Sequence, residues 1–398
     1  MPSKIIIKNS AGTGNAEQMY IMKDASGGKL KLFPGSNQIV LASAGAPGDP
    51  LQDYEMYKSY DSGETFNLLP SDFPAIYKAS VINAAVSFND RYYYIGDAST
   101  IDGSSYIAQS NNGGNTWEYK RPSVTDVRRF TGIASSRDGR YALAANGAYN
   151  DNGDVYLTQD FGETWTAPVA PGYYFRPFVD PTGQNMLVGG FTTTKYSDDF
   201  GSTWGNFSEP MNALGGAMIS GDGNYKVVFE QYNGGGSRAY VSTDWTNWTS
   251  NTLTVRLIGG SISNDGKYML IASGDGYNSA DQFLNLSTDY GQTWSKIDLG
   301  LGNQLWTDTK MSSDGKYMII TPGFTDSGPV MKSVDYGQTW GIETSIPSGI
   351  YYQVSMSKSG RYVYVSGPSR GLYVSRDYLN MWTHEFDSST CGGTFINF

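Results

Sequence analysis

Short apolar and aromatic runs, mostly four to eight residues long, recur along the whole chain and are separated by clusters of Asp, Asn, Gly and Ser. Lys267-Tyr-Met-Leu-Ile-Ala272 and Arg361-Tyr-Val-Tyr-Val365 are typical, rich in the residue types that suit a pleated, packed surface. Several such runs follow an Asp-Gly pair. Ser135-Ser-Arg-Asp138-Gly139-Arg-Tyr141, Ser220-Gly-Asp222-Gly223-Asn-Tyr225, Ser263-Asn-Asp265-Gly266-Lys-Tyr268 and Ser312-Ser-Asp314-Gly315-Lys-Tyr317 are clear copies. Ser357-Lys-Ser-Gly360-Arg-Tyr362 is a close variant, and weaker ones stand at Ser87–Tyr92 and Asp180–Asn185. Asp-Gly between strand-like runs marks a tight hairpin, because glycine accepts positive φ without a Cβ penalty.

A second signal alternates with the first, the octet Ser/Thr-x-Asp-x-Gly-x-Thr-Trp. Ser287-Thr-Asp289-Tyr-Gly291-Gln-Thr293-Trp294 and Ser333-Val-Asp335-Tyr-Gly337-Gln-Thr339-Trp340 are clean copies. Others centre on Asp61, Asn112, Asp160 and Asp199, with a shortened copy at Asp244 and a worn one at Asp377. Their first residues lie 39 to 51 apart, the length of one four-stranded repeat unit. Each unit therefore reads as strand, Asp-Gly turn, strand, longer loop, strand, octet, strand. A unit this small exposes apolar side chains on both faces, so neighbours must cover it, and radial stacking gives a β-propeller.

The octet accounts for itself physically. Its Asp accepts backbone N–H bonds inside the turn, its Gly takes a left-handed conformation, and its Trp anchors the turn. Asp61, Asn112, Asp160, Asp199, Asp244, Asp289, Asp335 and Asp377 are therefore assigned structural roles, since eight equivalent copies cannot line one site. These octets resemble the Asp-box, or bacterial neuraminidase repeat, shared by sialidases, sortilin-type receptors, photosystem assembly factors and several glycoside hydrolases. The resemblance covers residues 59 to 382. It implies the propeller fold and leaves function open, because the repeat recurs across unrelated activities.

Only two strands precede the first octet, around Asn37–Ala42 and Tyr54–Lys58, while Gly392–Phe398 is a surplus strand at the other end. Joining them completes a blade and removes the open edge. Eight blades follow for residues 37–398, or seven if the unit at Ser242 or Ser375 is absorbed elsewhere. Residues 1–36 form an N-terminal arm with strand-like pieces at Lys4–Lys8 and Lys29–Phe33. The opening Lys4-Ile-Ile-Ile-Lys8-Asn-Ser-Ala-Gly resembles the start of tailed-phage fibre and decoration proteins, and this implies an attachment segment. A plain strand packed on the ring reads equally well.

Composition narrows the function. A net charge of −10 opposes nucleic acid or an anionic membrane, and nothing approaches a membrane-spanning apolar run or a signal-peptide core. One cysteine, Cys391, excludes an internal disulfide, and one histidine, His384, excludes a multi-histidine metal site. No cofactor or metal is expected. The sialidase resemblance would require an arginine triad and a Phe-Arg-Ile-Pro segment. The nearest match, Phe175-Arg176-Pro177-Phe178, lacks the Ile-Pro order and lies in the fourth unit.

Both repeated turns share one face, so ligands are expected on the other, in the longer connections at 43–53, 96–105, 145–153, 230–237, 273–281 and 321–328. Asp275 and Tyr277 lie in these. Aligning units on the Asp-Gly turn places Arg129, Tyr173 and Arg256 at one equivalent position, and Phe130, Tyr174, Trp306 and Tyr351 at the next. Arginine and aromatic groups around a channel mouth suit sugars or acidic glycans. The alternative is inner-strand packing. The sequence thus reads as a structural and recognition propeller without catalysis, a tailed-phage virion component that binds host-surface glycans or other virion proteins. A sialidase-like glycoside hydrolase and a photosystem-type assembly factor are the alternatives.

Overall fold

A computed structural model describes most of residues 84–386, together with the shorter segments 20–22, 31–33, 40–45, 55–59, 65–68 and 390–396. Several connections, among them 97–105, 123–129 and 274–282, lie outside the described residues, as do the expected strand Lys4–Lys8 and the octet aspartate Asp61. The described residues are all-β. Seven sheets have four antiparallel strands each, in an order that follows the chain in all but the first, as a meander demands. One further sheet, the third along the chain, has three strands, Gly132–Ser135, Ala142–Ala145 and Val155–Thr158. A single bridge from Leu157 to Thr166 stands where its fourth strand would be. No described helix is long and apolar enough to cross a membrane.

The sixth sheet shows why these residues form this unit. Its strands are Leu257–Ile262, Met269–Ser273, Leu284–Ser287 and Ser295–Ile297. Burial alternates along the first, is complete along the second and third, and is nearly lost along the fourth. A strand covered on both faces by neighbouring sheets needs apolar residues throughout, which is why these runs are continuous rather than alternating. The first strand has one face toward the axis, and the last lies at the rim.

The first strands of successive sheets lie side by side. Ala84–Val86 neighbours Gly132–Ser135, which neighbours Arg176–Val179, and the series runs on through Leu214–Ile219, Leu257–Ile262, Trp306–Met311 and Gln353–Met356. Gln353–Met356 lies beside Thr390–Ile396, and that strand in turn touches Ala84–Val86. Thr390–Ile396 pairs antiparallel with Val40–Gly45, with Leu41 opposite Phe395. The strand expected from Gly392 onward thus starts two residues earlier, and its partner extends to Gly45. Near the N-terminus, Lys31–Phe33 pairs with Tyr20–Met22, a strand that the apolar pattern did not single out.

Candidate functional site

In the sixth sheet the octet closes on itself. The Ser287 hydroxyl donates to Asp289 Oδ1 at 2.9 Å and accepts from the Gly291 N–H at 2.9 Å. The Thr293 N–H donates to Oδ1 at 2.9 Å and its hydroxyl to Oδ2 at 2.6 Å. The Trp294 indole N–H caps the turn on the Gly291 carbonyl at 3.2 Å. The same carboxylate bonds recur at Asp160, Asp199 and Asp335. Asn112 accepts from the Thr116 N–H at 3.0 Å, but its amide donates to the Thr116 hydroxyl. Asp244 turns to Thr246 and Asn247 in the shortened copy, and Asp377 keeps only the Met381 N–H of this set. Partial burial of Asp289 and Asp335 opposes ionisation, but the hydrogen bonds from Thr293 and Thr339 outweigh it and hold both carboxyls below the ordinary range. Both oxygens of each complete octet carboxylate are spent inside the turn.

The residue before the octet glycine also has positive φ: Phe161, Phe200, Tyr290 and Tyr336 lie between 62° and 64°, as does Tyr378, which precedes Leu379 in the worn copy. Sequence reading assigned the left-handed conformation to glycine alone. Aromatics accept this costly backbone because each ring is held by the preceding sheet. Tyr336 stacks on Tyr268 with centroids 5.1 Å apart, Tyr290 on Tyr225 at 5.1 Å, and Phe161 on Tyr92 at 4.6 Å. Phe200 meets Tyr141, and Tyr378 meets Tyr317, in the same way. The partner is always the residue that closes the Asp-Gly signal, or Tyr92 of its weaker form. Within one sheet, the Tyr336 N–H donates to the Lys316 carbonyl at 3.1 Å, and five other sheets repeat that bond. The two repeated turns therefore share one face.

Of the residues expected to bind a ligand, Arg129, Arg256, Asp275 and Tyr277 lie outside the described residues. Tyr173 is half-buried. Trp306 and Tyr351 are a correction: they are 1% and 0% exposed and pack in the cores around Leu270 and Val354. Phe130 and Tyr174, at the equivalent position, are buried as well. The fifth and sixth sheets carry Leu214 and Leu257 there, both buried. This position anchors the inner strand between sheets, and the two leucines were the signal for it in the sequence. Arg176 donates to the Gly215 and Ile258 carbonyls, tying the inner strands of the fourth, fifth and sixth sheets together.

Charge on the turn-bearing face was also missed. The positions concerned follow Ser87, Ser136, Asp180, Ser263, Ser312 and Ser357, at the start of each Asp-Gly turn. Backbone bonds join these residues from sheet to sheet: Phe88 N to Arg137 O, Arg137 N to Pro181 O, Asn264 N to Ser313 O and Ser313 N to Lys358 O. Pro181 has no N–H to continue the series. Among the described residues, His, Cys, Asp and Glu form no group of three with metal-binding geometry.

No protein-family model matches the chain, and no curated protein matches its sequence. Solved structures do match. "YCF48 bound to D1 peptide" is 15% identical with a TM-score of 0.51, covering 75% of this chain and 93% of that one. "Crystal Structure of Mitotic Checkpoint Complex" is 12% identical with a TM-score of 0.54, covering 75% and 91%. The GH74 enzyme of Niastella koreensis is 16% identical with a TM-score of 0.47, covering 90% and 71%. The first two are propeller proteins, and at these identities the likeness shows the β-propeller fold alone.

Proposed function

We propose that this protein is a closed, eight-bladed Asp-box propeller that serves as a recognition scaffold, holding a protein partner against the face formed by its longer connections. One observation carries the reading: each complete octet carboxylate spends both oxygens inside its own turn. The repeated polar chemistry thus builds a rigid support, and the irregular connections at the opposite face are left to vary. Binding residues gather on loops that such a support positions. The circuit of inner strands, returning through Thr390–Ile396 to Ala84–Val86, supports eight blades and closure by the C-terminal strand. A protein partner is favoured because one similar structure is of a peptide complex and another of a multi-protein assembly. The virion reading, with residues 1–36 as the attachment arm and 37–398 as the propeller, rests on the opening sequence, and glycans remain the other ligand class for the same face.

Cross-linking the protein in its native assembly and then exchanging 148–151 and 232–235 for short Gly/Ser connections tests this. Loss of the cross-linked neighbour at an unchanged melting temperature is expected. Retained capture, or hydrolysis of fluorogenic glycosides by the intact protein, would contradict it.

A further inference from the structure

The inner strands line an open pocket of about 370 Å³ that reaches Arg137 on the turn-bearing face. Its wall mixes apolar groups such as Ile133 and Val354 with Ser135, Gln353 and Ser355. Deeper in, Lys310 is neutralised by Asp308 at 2.9 Å, and Asp308 also accepts from the Val354 N–H at 3.1 Å. The mouth differs. The Arg137 guanidinium lies 3.9 Å from the centre of the Phe88 ring, and Phe88 is 44% exposed. Lys358 stands at the equivalent position of the eighth sheet, two residues past the end of the strand that supplies Gln353 and Ser355. Among the described residues, neither Arg137 nor Lys358 takes part in an ion pair. Its surroundings, and after them the charge of Arg137, hold the Lys358 ammonium below the ordinary lysine range. Two cations on this face without an ion-pair partner among the described residues, one of them lying against an exposed aromatic ring at the pocket, are a place for an anion.

The surroundings limit what that anion can be. Asp138, Asp222, Asp265 and Asp314 follow the same position in their turns, each held by a serine hydroxyl, and the whole chain carries −10. A polyanion reaching across the face would meet these carboxylates within the screening distance of about 8–10 Å. A small ligand with a single charge, seated in the pocket, avoids them.

We propose that this mouth binds one carboxylate of a small, otherwise neutral ligand of the sugar-acid class, with Arg137 and Lys358 pairing the carboxylate and Phe88 covering a ring face. Arginine offers a fork of parallel donors, lysine adds a point charge, and the exposed aromatic face packs against C–H groups. The pocket behind them leaves room for the ligand body, with Ser135 and Gln353 supplying hydroxyl and amide partners. This site is independent of the partner face, so either can fail alone.

Titration of the intact protein with glucuronate, followed by calorimetry or ligand-observed NMR, tests it, with glucose as the neutral probe. Millimolar binding of glucuronate is expected, with glucose at least about tenfold weaker. The exposed substitutions Arg137→Gln and Lys358→Gln should each weaken glucuronate about fivefold and together abolish it, with melting unchanged, while Arg137→Lys retains part of the affinity. Glucuronate binding that survives in the double variant would overturn the assignment. So would equal binding of glucose, or no binding of glucuronate at tens of millimolar.

Discussion

The indole N–H of Trp245 donates to the side-chain oxygen of Asn185 at 2.9 Å, across the boundary between the fourth and fifth sheets. At five other boundaries an aromatic pair stands there, a tyrosine at the end of the Asp-Gly signal and an aromatic before the octet glycine or, at Tyr378, before Leu379. Here both sides have changed together. Asn185 replaces the tyrosine, the octet is shortened, and Trp245 moves inward to 3% exposure, stacking flat on Tyr196 at 5.1 Å. A weak copy of one repeat and a shortened copy of the other are thus complements of one another.

Asn185→Leu should strand that buried N–H and cost about 1–3 kcal/mol. Because Asn185 also donates to Asp180, the single variant mixes two effects. A double-mutant cycle with Trp245→Phe separates them, and denaturant unfolding should give a coupling of about 1 kcal/mol. Additive losses would mean that the bond contributes nothing.

Gly315 supplies the floor on which Tyr268 lies. A Cβ built at Gly315 would sit 2.5 Å from Tyr268 Cδ2, at a φ of +76°. Tyr268 cannot retreat, because Tyr336 is stacked on it. Gly315→Ala should therefore cost more than about 2 kcal/mol, combining backbone strain with overpacking. Gly300 has φ +69° and open space around it, so Gly300→Ala should cost about 1 kcal/mol from the backbone alone. Equal losses in thermal unfolding would show that the ring stack yields.

The octet aspartates predict acid sensitivity of a definite sign. Asp160, Asp199, Asp289 and Asp335 all lie below the ordinary 3.8 when folded. A carboxyl depressed by folding contributes fully above its unfolded value, so stability should fade as pH drops below about 4. Asp289→Asn should flatten that fall slightly. It should also cost less than Asp289→Ala at neutral pH, where alanine loses about 1 kcal/mol, because Asn112 shows that an amide can close the same turn with the threonine hydroxyl bond reversed. Melting temperatures across pH 2–7 give both comparisons.

The strand order and both turns were legible in the sequence because glycine, aspartate and tryptophan at fixed spacing leave few backbone solutions. What the sequence hid was direction. Trp306 and Tyr351 were correctly aligned as equivalents, yet the alignment does not tell an axis-facing position from one between sheets, and burial decides for the second. The aromatic stacks were hidden for a different reason. Tyr268 and Tyr336 are 68 residues apart in adjoining units, and their meeting depends on how sheets are rotated about the axis. Arg137 looked like an ordinary turn residue until its backbone bonds to Phe88 and Pro181 joined it to the neighbouring sheets beside the pocket.

The proposed closure of the ring by the last strand underlies both the scaffold and its two faces. Deleting Gly392–Phe398 removes most of the strand that pairs with Val40–Gly45 and lies between the inner strands of the second and eighth sheets. Thermal unfolding and light scattering of the truncated chain are the direct test. The account predicts a sharp fall in melting temperature, with association through the newly opened edge. A truncated protein that stays monomeric and melts with the full-length chain would contradict it.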